Sequence, residues 1–347
     1  MLKILHLNNY ISHTSGVTRY IYHIVKNTKG IFKHEIICLG GDAVELFSDQ
    51  NVKVTALNYS GMFSLLGIYF FLRNYCKQNQ FDIIHNHHRI FDSITAMLPR
   101  INFRTVTSVH SKVYDRKLFS YKADTLISYS DSITNHLIQY YKKSPLKIKR
   151  MVSFVDKSDV KIIIEKNELK RHLSLTEDKV IMFIGRFSNE KGVDVLVKAF
   201  KELHSMNKKI SLIMIGEGEE EKSLRHYSSE NKLPVQLLSP RTNIFDYYNI
   251  ADIIVLPSRV DPFPYVMLEA GLMNKPFVGS NVDGISELIK HGVNGLLFES
   301  ENVGELINSI QMVFKDQELA KRISQNFNND IITNYSLEKV IHEYSFL

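Results

Sequence analysis

Two acidic residues eight positions apart frame the segment Asp261-Pro-Phe-Pro-Tyr-Val-Met-Leu-Glu269. Pro262 and Pro264 fix φ and turn the chain, and the apolar run Tyr265-Val266-Met267-Leu268 reads as the start of a buried helix. The first amides of such a helix point at whatever lies above them, and their dipole favours a phosphate there. Glu269 falls about two turns in, where a lone carboxylate accepts a bidentate pair of sugar hydroxyls. The plainer alternative is a helix start with an acidic residue near its N-cap and an unrelated Glu later. Upstream, the strand-like run Ile181-Met-Phe-Ile184 breaks at Gly185 and is followed by Arg186, Lys191 and Gly192. Ligands of open α/β sheets bind at the carboxyl ends of strands. A planar guanidinium fork and a mobile ammonium in that place suit a diphosphate. Taken alone, the pair reads equally as two solvated cations in a surface loop.

Four further sites carry candidate chemistry. The loop Ser12-His13-Thr14-Ser15-Gly16-Val17 follows the first strand and opens a helix. Gly16 allows close backbone approach to a phosphate or sugar, while a simple N-cap at Thr14 or Ser15 explains it as well. His110 ends the strand expected over 104–109, where a neutral imidazole donates or accepts; a structural histidine is the alternative. His85-Asn86-His87-His88-Arg89 resembles a metal cluster at first sight, but no carboxylate or Cys completes a tetrahedral set nearby. Gly216-Glu217-Gly218 mimics the opening of a dinucleotide fingerprint, yet the third glycine is absent and Glu219, Glu220 and Glu221 would repel a pyrophosphate. The chain holds no Asp-x-Asp motif for a metal-bound diphosphate.

These residues need a scaffold, and the chain alternates strand-like and helical patterns throughout, which argues for parallel sheets with helices on both faces. Strands are expected at 3–7, 35–39, 52–57, 82–85, 104–109, 125–128 and 148–152, then at 180–184, 211–215, 235–238, 253–257, 276–279 and 295–297. Helices are expected at 17–26, 63–78, 93–98, 130–141, 193–203 and 337–344, with the hydrophilic stretch 157–179 as a linker. At 347 residues there is room for two separate cores, and 44% hydrophobic with 23% charged residues is the balance of a soluble globular protein. Cys38 and Cys76 suggest neither a metal site nor a disulfide framework, which fits a reducing cytoplasm. No signal peptide or membrane span is expected.

Charge is uneven: residues 1–170 hold 24 Lys+Arg against 13 Asp+Glu, and the remainder 19 against 24. A basic first half suggests an anionic partner. No nucleic-acid-binding motif is present, so an anionic membrane surface or a phosphate-bearing acceptor fits better, with a solvated basic face as the alternative. Lys112, Arg116, Lys117 and Lys122 are interleaved with Val113, Tyr114, Leu118, Phe119 and Tyr121, a mixture suited to an anionic leaflet.

In order, Gly-Arg-x4-Lys-Gly at 185–192, the acidic-x7-Glu segment at 261–269 and the block Ser280–Phe298 resemble retaining glycosyltransferases of glycosyltransferase family 4. The resemblance is strongest from about Val180 to Phe298. It implies an α/β GT-B fold, two Rossmann-like doubly wound domains with parallel sheets facing a central cleft. The expected boundaries are 1–158 for an acceptor-binding domain, 159–332 for a nucleotide-sugar domain, and 333–347 for a helix crossing back. It implies a UDP-sugar donor. Glu269 would hold the ribose, and Arg186, Lys191 and the backbone at Gly16, Phe263, Tyr265 and Val266 the diphosphate. Arg241 would lie near the base, and His110 and Asp261 would touch the sugar. Asp261 is one methylene shorter than the family's usual Glu. Arg19, His87, His88 and Arg89 would face a glycan or lipid-linked acceptor of surface polysaccharide synthesis. No cofactor or metal is expected, since cations and helix amides neutralise the leaving group. The expected location is the cytoplasm, peripheral on the inner face of its membrane. Two departures from the family stand out: a single glycine at Ser15-Gly16, and Met151–Asp156 in place of an Asn-Gly-Val-Asp turn. A GT-B sugar-nucleotide 2-epimerase and a catalytically silent partner subunit remain as other readings.

Overall fold

The computed structural model describes residues 1–13, 15–57, 64–99, 102–175 and 179–344. Thr14 and Phe63, expected at helix starts, lie outside them. The chain divides into two compact units, Met1–Val152 with Val340–Leu347, and Ser153–Lys339.

The first unit is built on strands β1 (Leu2–Asn8), β2 (Phe32–Cys38), β3 (Lys53–Ala56), β4 (Ile83–Asn86), β5 (Arg104–Val109), β6 (Thr125–Ser128) and β7 (Ile148–Arg150). Helices α1 (Gly16–Thr28), α2 (Ser64–Asn79), α3 (Arg89–Thr95) and α4 (Asp131–Gln139) alternate with them. All pairs are parallel, in the order β3-β2-β1-β4-β5-β6-β7, so the chain order reverses between β1 and β4. The inner strands β1, β2, β4, β5 and β6 are buried on both faces along most of their length, as doubly wound sheets require, while the edge strands β3 and β7 are partly exposed. On one face Leu5, Leu7, Ile37 and Ile84 pack with Phe91 and Leu72; on the other Ile36 and Cys38 pack with Ile21 and Val25 of α1.

The second unit opens with α5 (Lys166–His172) and holds β8 (Lys179–Ile184), α6 (Val193–Met206), β9 (Ile210–Ile215), α7 (Glu221–Glu230), β10 (Val235–Leu238), α8 (Ile244–Ile250), β11 (Ile253–Leu256), α9 (Tyr265–Leu272), β12 (Phe277–Ser280), α10 (Asp283–Leu288), β13 (Leu296–Phe298), α11 (Val303–Lys315) and α12 (Gln317–Asn334). Its parallel order, β10-β9-β8-β11-β12-β13, reverses between β8 and β11. Helix α13 (Leu337–Tyr344) begins in this unit and ends in the first. Two elements differ from the sequence expectation. The stretch 157–179 contains α5, because Leu169 and Leu175 are buried and join the second core despite their polar neighbours. The helix expected at 93–98 starts four residues earlier, at Arg89, because His88 caps it by accepting from the Ile90 amide at 3.3 Å. No helix among the described residues is long and apolar enough to cross a membrane.

Candidate active site

Both reversal points carry the candidate residues, since the loops leaving adjacent strands there run in opposite directions and open a crevice. In the second unit β8 ends at Ile184 and delivers Gly185–Lys191, and β11 ends at Leu256 and delivers Pro257–Asp261. The two loops touch. Gly192 adopts φ +62°, and a Cβ there would stand 1.9 Å from the Pro257 carbonyl oxygen; only glycine meets both demands. Lys191 Nζ donates to Asp261 Oδ2 at 2.6 Å, and Ser258 Oγ donates to the same oxygen at 3.0 Å. Asp261 is 3% exposed, so this pairing is what makes its burial tolerable. Its backbone is fixed as well, by its amide on Asp283 Oδ2 at 3.2 Å and by the Gly284 amide on its carbonyl at 3.1 Å.

Glu269 lies in the second turn of α9, 4% exposed, and accepts from Tyr248 Oη at 2.8 Å. Sequence reasoning missed Tyr248, because nothing in its spacing marks it as a partner of residue 269. Helix α9 starts after Pro264, and no side chain caps it, so its first-turn amides remain available to an anion. Tyr265 and Val266, which supply those amides, are half-buried. The Phe263 ring instead stacks on Tyr335, centroids 5.8 Å apart. Arg186 and Arg241 are exposed at the carboxyl ends of β8 and β10, and Arg186 forms no ion pair among the described residues. The Glu220 amide is spent on the Phe187 carbonyl at 2.9 Å, consistent with a loop that does not cradle phosphate.

In the first unit, period-two alternation puts histidines of three strands on one face. His6 and His85 are register partners, and His34 is one step away, opposite Ile4. Thr28 Oγ1 donates to the Ile24 carbonyl at 2.6 Å, so it accepts from His34 Nε2 at 2.9 Å. Neutral His34 must then accept at Nδ1 from His6 Nε2, 3.0 Å away, and His6 Nδ1 accepts from His87 Nε2 at 3.1 Å. The partners thus assign an Nε2–H tautomer to all three rings. Burial holds them neutral, lowering His34 to about 4 and His6 and His87 well below the ordinary histidine value. His87 Nδ1 ends the relay, buried and without a partner among the described residues. His85 bridges Tyr344 Oη and Ser108 Oγ, both at 2.8 Å. Ligand atoms of His6, His85 and His87 lie within 4.8 Å of one another, but both nitrogens of His6 and of His85 are already engaged, so the cluster reads as a hydrogen-bonded relay.

His110 follows β5, half-buried, stacked on Tyr129 at 5.1 Å and on His87 at 5.9 Å. Burial lowers it to about 3, and its ring has no hydrogen-bond partner among the described residues. Gly16 is the first residue of α1, with Ser15 Oγ capping the Thr18 amide at 3.3 Å, and Arg19 is half-buried one turn in. His88 is occupied as the α3 cap, and Arg89 forks onto Asp115. The segment after His110 is tied down by Tyr141 Oη on the Val113 and Asp115 carbonyls, both at 2.9 Å, and by Lys117 over the Tyr140 ring. It leaves Tyr114, Leu118 and Phe119 exposed beside Arg116, Lys117 and Lys122. Lys143 belongs to the same patch: burial, then the nearby Lys122 charge, lower its ammonium.

Two doubly wound parallel sheets are the architecture of the GT-B fold. Two sequence profiles match, "Glycosyltransferase Family 4" over residues 14–158 and "Glycosyl transferases group 1" over 165–330. The chain belongs to glycosyltransferase family 4. An uncharacterized glycosyltransferase of Methanocaldococcus jannaschii is 24% identical, covering 98% of this chain and 96% of the relative. The UDP-Gal:alpha-D-GlcNAc-diphosphoundecaprenol alpha-1,3-galactosyltransferase of Escherichia coli is 27% identical over 97% of this chain and 94% of its own. Among solved structures, HepE of Anabaena in complex with UDP-glucose matches with a TM-score of 0.88 at 20% identity, covering 100% of this chain and 99% of that one.

Proposed function

We propose that this transferase moves a sugar from a UDP-sugar to a glycan or lipid-linked glycan, with retention at the anomeric carbon and without metal or other cofactor. The observation that carries the reading is the buried Lys191–Asp261 pair at the reversal point of the second sheet, with Glu269 held by Tyr248 on the helix that follows. In this reading Glu269, oriented by Tyr248, accepts the ribose hydroxyls, and Arg241 lies by the base. Arg186, Lys191 and the uncapped amides of α9 take the diphosphate. Asp261 Oδ2 is committed to Lys191 and Ser258, which leaves Oδ1 for a hydroxyl of the donor sugar. On the first unit, His110 offers a neutral contact for a sugar, Gly16 a backbone approach to a phosphate or sugar, and Arg19 and His87 are the acceptor candidates. The acceptor oxygen bonds to the anomeric carbon from the face that the nucleotide leaves. The carbon–oxygen bond to the diphosphate breaks, and the departing diphosphate takes the acceptor's proton.

The HepE complex with UDP-glucose and the UDP-Gal in the Escherichia coli relative's name support a uridine donor. The diphosphoundecaprenol in that name supports a lipid-linked acceptor, and the basic, apolar patch around Phe119 would place the enzyme on an anionic leaflet of the cytoplasmic membrane. A thermal-shift panel of UDP-, GDP- and ADP-sugars tests the donor: UDP-sugars should stabilise the protein, and no shift with any of them would overturn the reading. Turnover should survive excess EDTA; loss that Mn²⁺ restores would remove the metal-free mechanism. Anomeric configuration of the product by NMR tests retention. Conversion of the nucleotide-sugar without acceptor would point to the epimerase, and binding without any turnover to a silent subunit.

A further inference from the structure

Three successive residues of the Lys191 turn are each held from one short segment of the β11–α9 loop. Arg259 Nη1 donates to the Asn189 carbonyl at 2.7 Å. The Arg259 and Val260 amides converge on the Glu190 carbonyl at 2.7 and 3.3 Å. Asp261 receives the Lys191 ammonium at 2.6 Å. Arg259 also forks onto Asp194 of α6, Nη1 to Oδ1 at 2.9 Å and Nη2 to Oδ2 at 3.2 Å, and its Nε donates to Glu301 Oε1 at 2.8 Å. Four of its five N–H groups are thereby engaged. Two carboxylates neutralise it, so it is not a spare cation for a phosphate. Asp194 opens α6 directly after the turn, so the fork grips both ends of the segment that presents Lys191. Burial would raise the Asp194 carboxyl, but hydrogen bonds from Arg259 and Lys198 bring it down to about 2. The fork therefore stays ionised through the working range.

We infer that Arg259, through its fork on Asp194 and its bond to the Asn189 carbonyl, is the positioning residue that sets Lys191 against the donor diphosphate. The inference rests on the donor reading above. A fork of fixed geometry can orient a turn in a way that a lone ammonium cannot, and misplacing a charge contact by a small distance forfeits much of its effect.

The test titrates UDP, GDP, ADP and the matching nucleosides onto wild type, Arg259→Met, Arg259→Lys and Lys191→Met, each as the full chain. Arg259→Met should weaken binding of the preferred nucleoside diphosphate roughly tenfold and leave nucleoside binding within about twofold. Arg259→Lys should recover only part of the loss. In the Lys191→Met background Arg259→Met should cost nothing further, because the ammonium it positions is gone. Asp194→Asn breaks the fork from the other side at constant volume and should repeat the defect if Arg259→Met fails to fold. Equal weakening of diphosphate and nucleoside, or additive losses in the double variant, would reduce Arg259 to a general structural role and overturn the inference. If no nucleoside diphosphate binds wild type, the donor reading itself fails; if wild type and Lys191→Met behave as expected while Arg259→Met and Asp194→Asn match wild type, the positioning claim alone fails.

Discussion

Lys191 and Asp261 are assigned to different parts of the donor by their motifs, and in the fold they share a hydrogen bond of 2.6 Å. A cation already paired gives part of its charge to its partner, so Arg186, which forms no ion pair among the described residues, carries the larger uncompensated charge at the strand end. Arg186→Ala and Lys191→Ala should each lower kcat/KM by roughly a hundredfold, read by initial rates. Their stabilities should separate. Arg186→Ala exposes nothing buried and should leave Tm near wild type. Lys191→Ala strands a carboxylate that is 3% exposed, which is expected to cost about 3–5 kcal/mol. Adding Asp261→Asn to Lys191→Ala should recover most of that loss. Identical Tm values for the two single variants would dismiss the buried pair as an energetic unit.

At the scale of elements, two features follow from strand pairing. The first is the contact of the β8 and β11 loops at Gly192. Gly192→Ala meets a left-handed φ and a carbonyl 1.9 Å away, an expected loss of roughly 2–4 kcal/mol visible in urea unfolding; a loss below 1 kcal/mol would mean the loops part easily. The second is the histidine relay. An unfolded histidine titrates near 6.5, whereas burial brings His34 to about 4 and His85 to about 3. Between those values the unfolded chain holds more protons than the folded one. Stability of the first unit is therefore complete above about pH 6.5 and falls as pH drops towards 4. Hydrogen exchange of β1 and β4, corrected for intrinsic rates, should accelerate over that range. Thr28→Val should lower stability across this whole range by leaving the His34 Nε2–H without its acceptor, while the onset, set by the unfolded histidine, stays near pH 6.5. Unchanged protection between pH 7 and 5 would contradict the relay as drawn.

For the whole molecule, the uneven charge of the chain and the exposed Tyr114, Leu118 and Phe119 predict a membrane-facing surface on the first unit. Each cation near an anionic leaflet is worth about 1 kcal/mol, weakened by salt. Vesicle co-sedimentation should rise with anionic lipid, fall with salt, and drop when Lys112, Arg116 and Lys117 become Glu. Equal partitioning onto neutral and anionic vesicles, or none onto either, would leave a soluble acceptor as the simpler reading.

The sequence by itself determined the strands and the family, because a fully buried parallel strand is a local pattern: runs such as Val180–Ile184 and Ile253–Leu256 are apolar and break at Gly185 and Pro257. It also placed Arg186, Lys191 and Glu269, since a strand end or a helix start is a matter of position along the chain. It did not reveal α5, whose one buried residue, Leu169, is hidden among charged neighbours, nor the early start of α3, which depends on a histidine acting as a cap. Tertiary structure alone decided which side chains meet. Tyr248 with Glu269, Arg259 with Asp194, and the His34–His6–His87 relay join residues 21 to 81 positions apart. Such pairs are set by sheet order and register, and local sequence preferences do not specify which distant strands become neighbours.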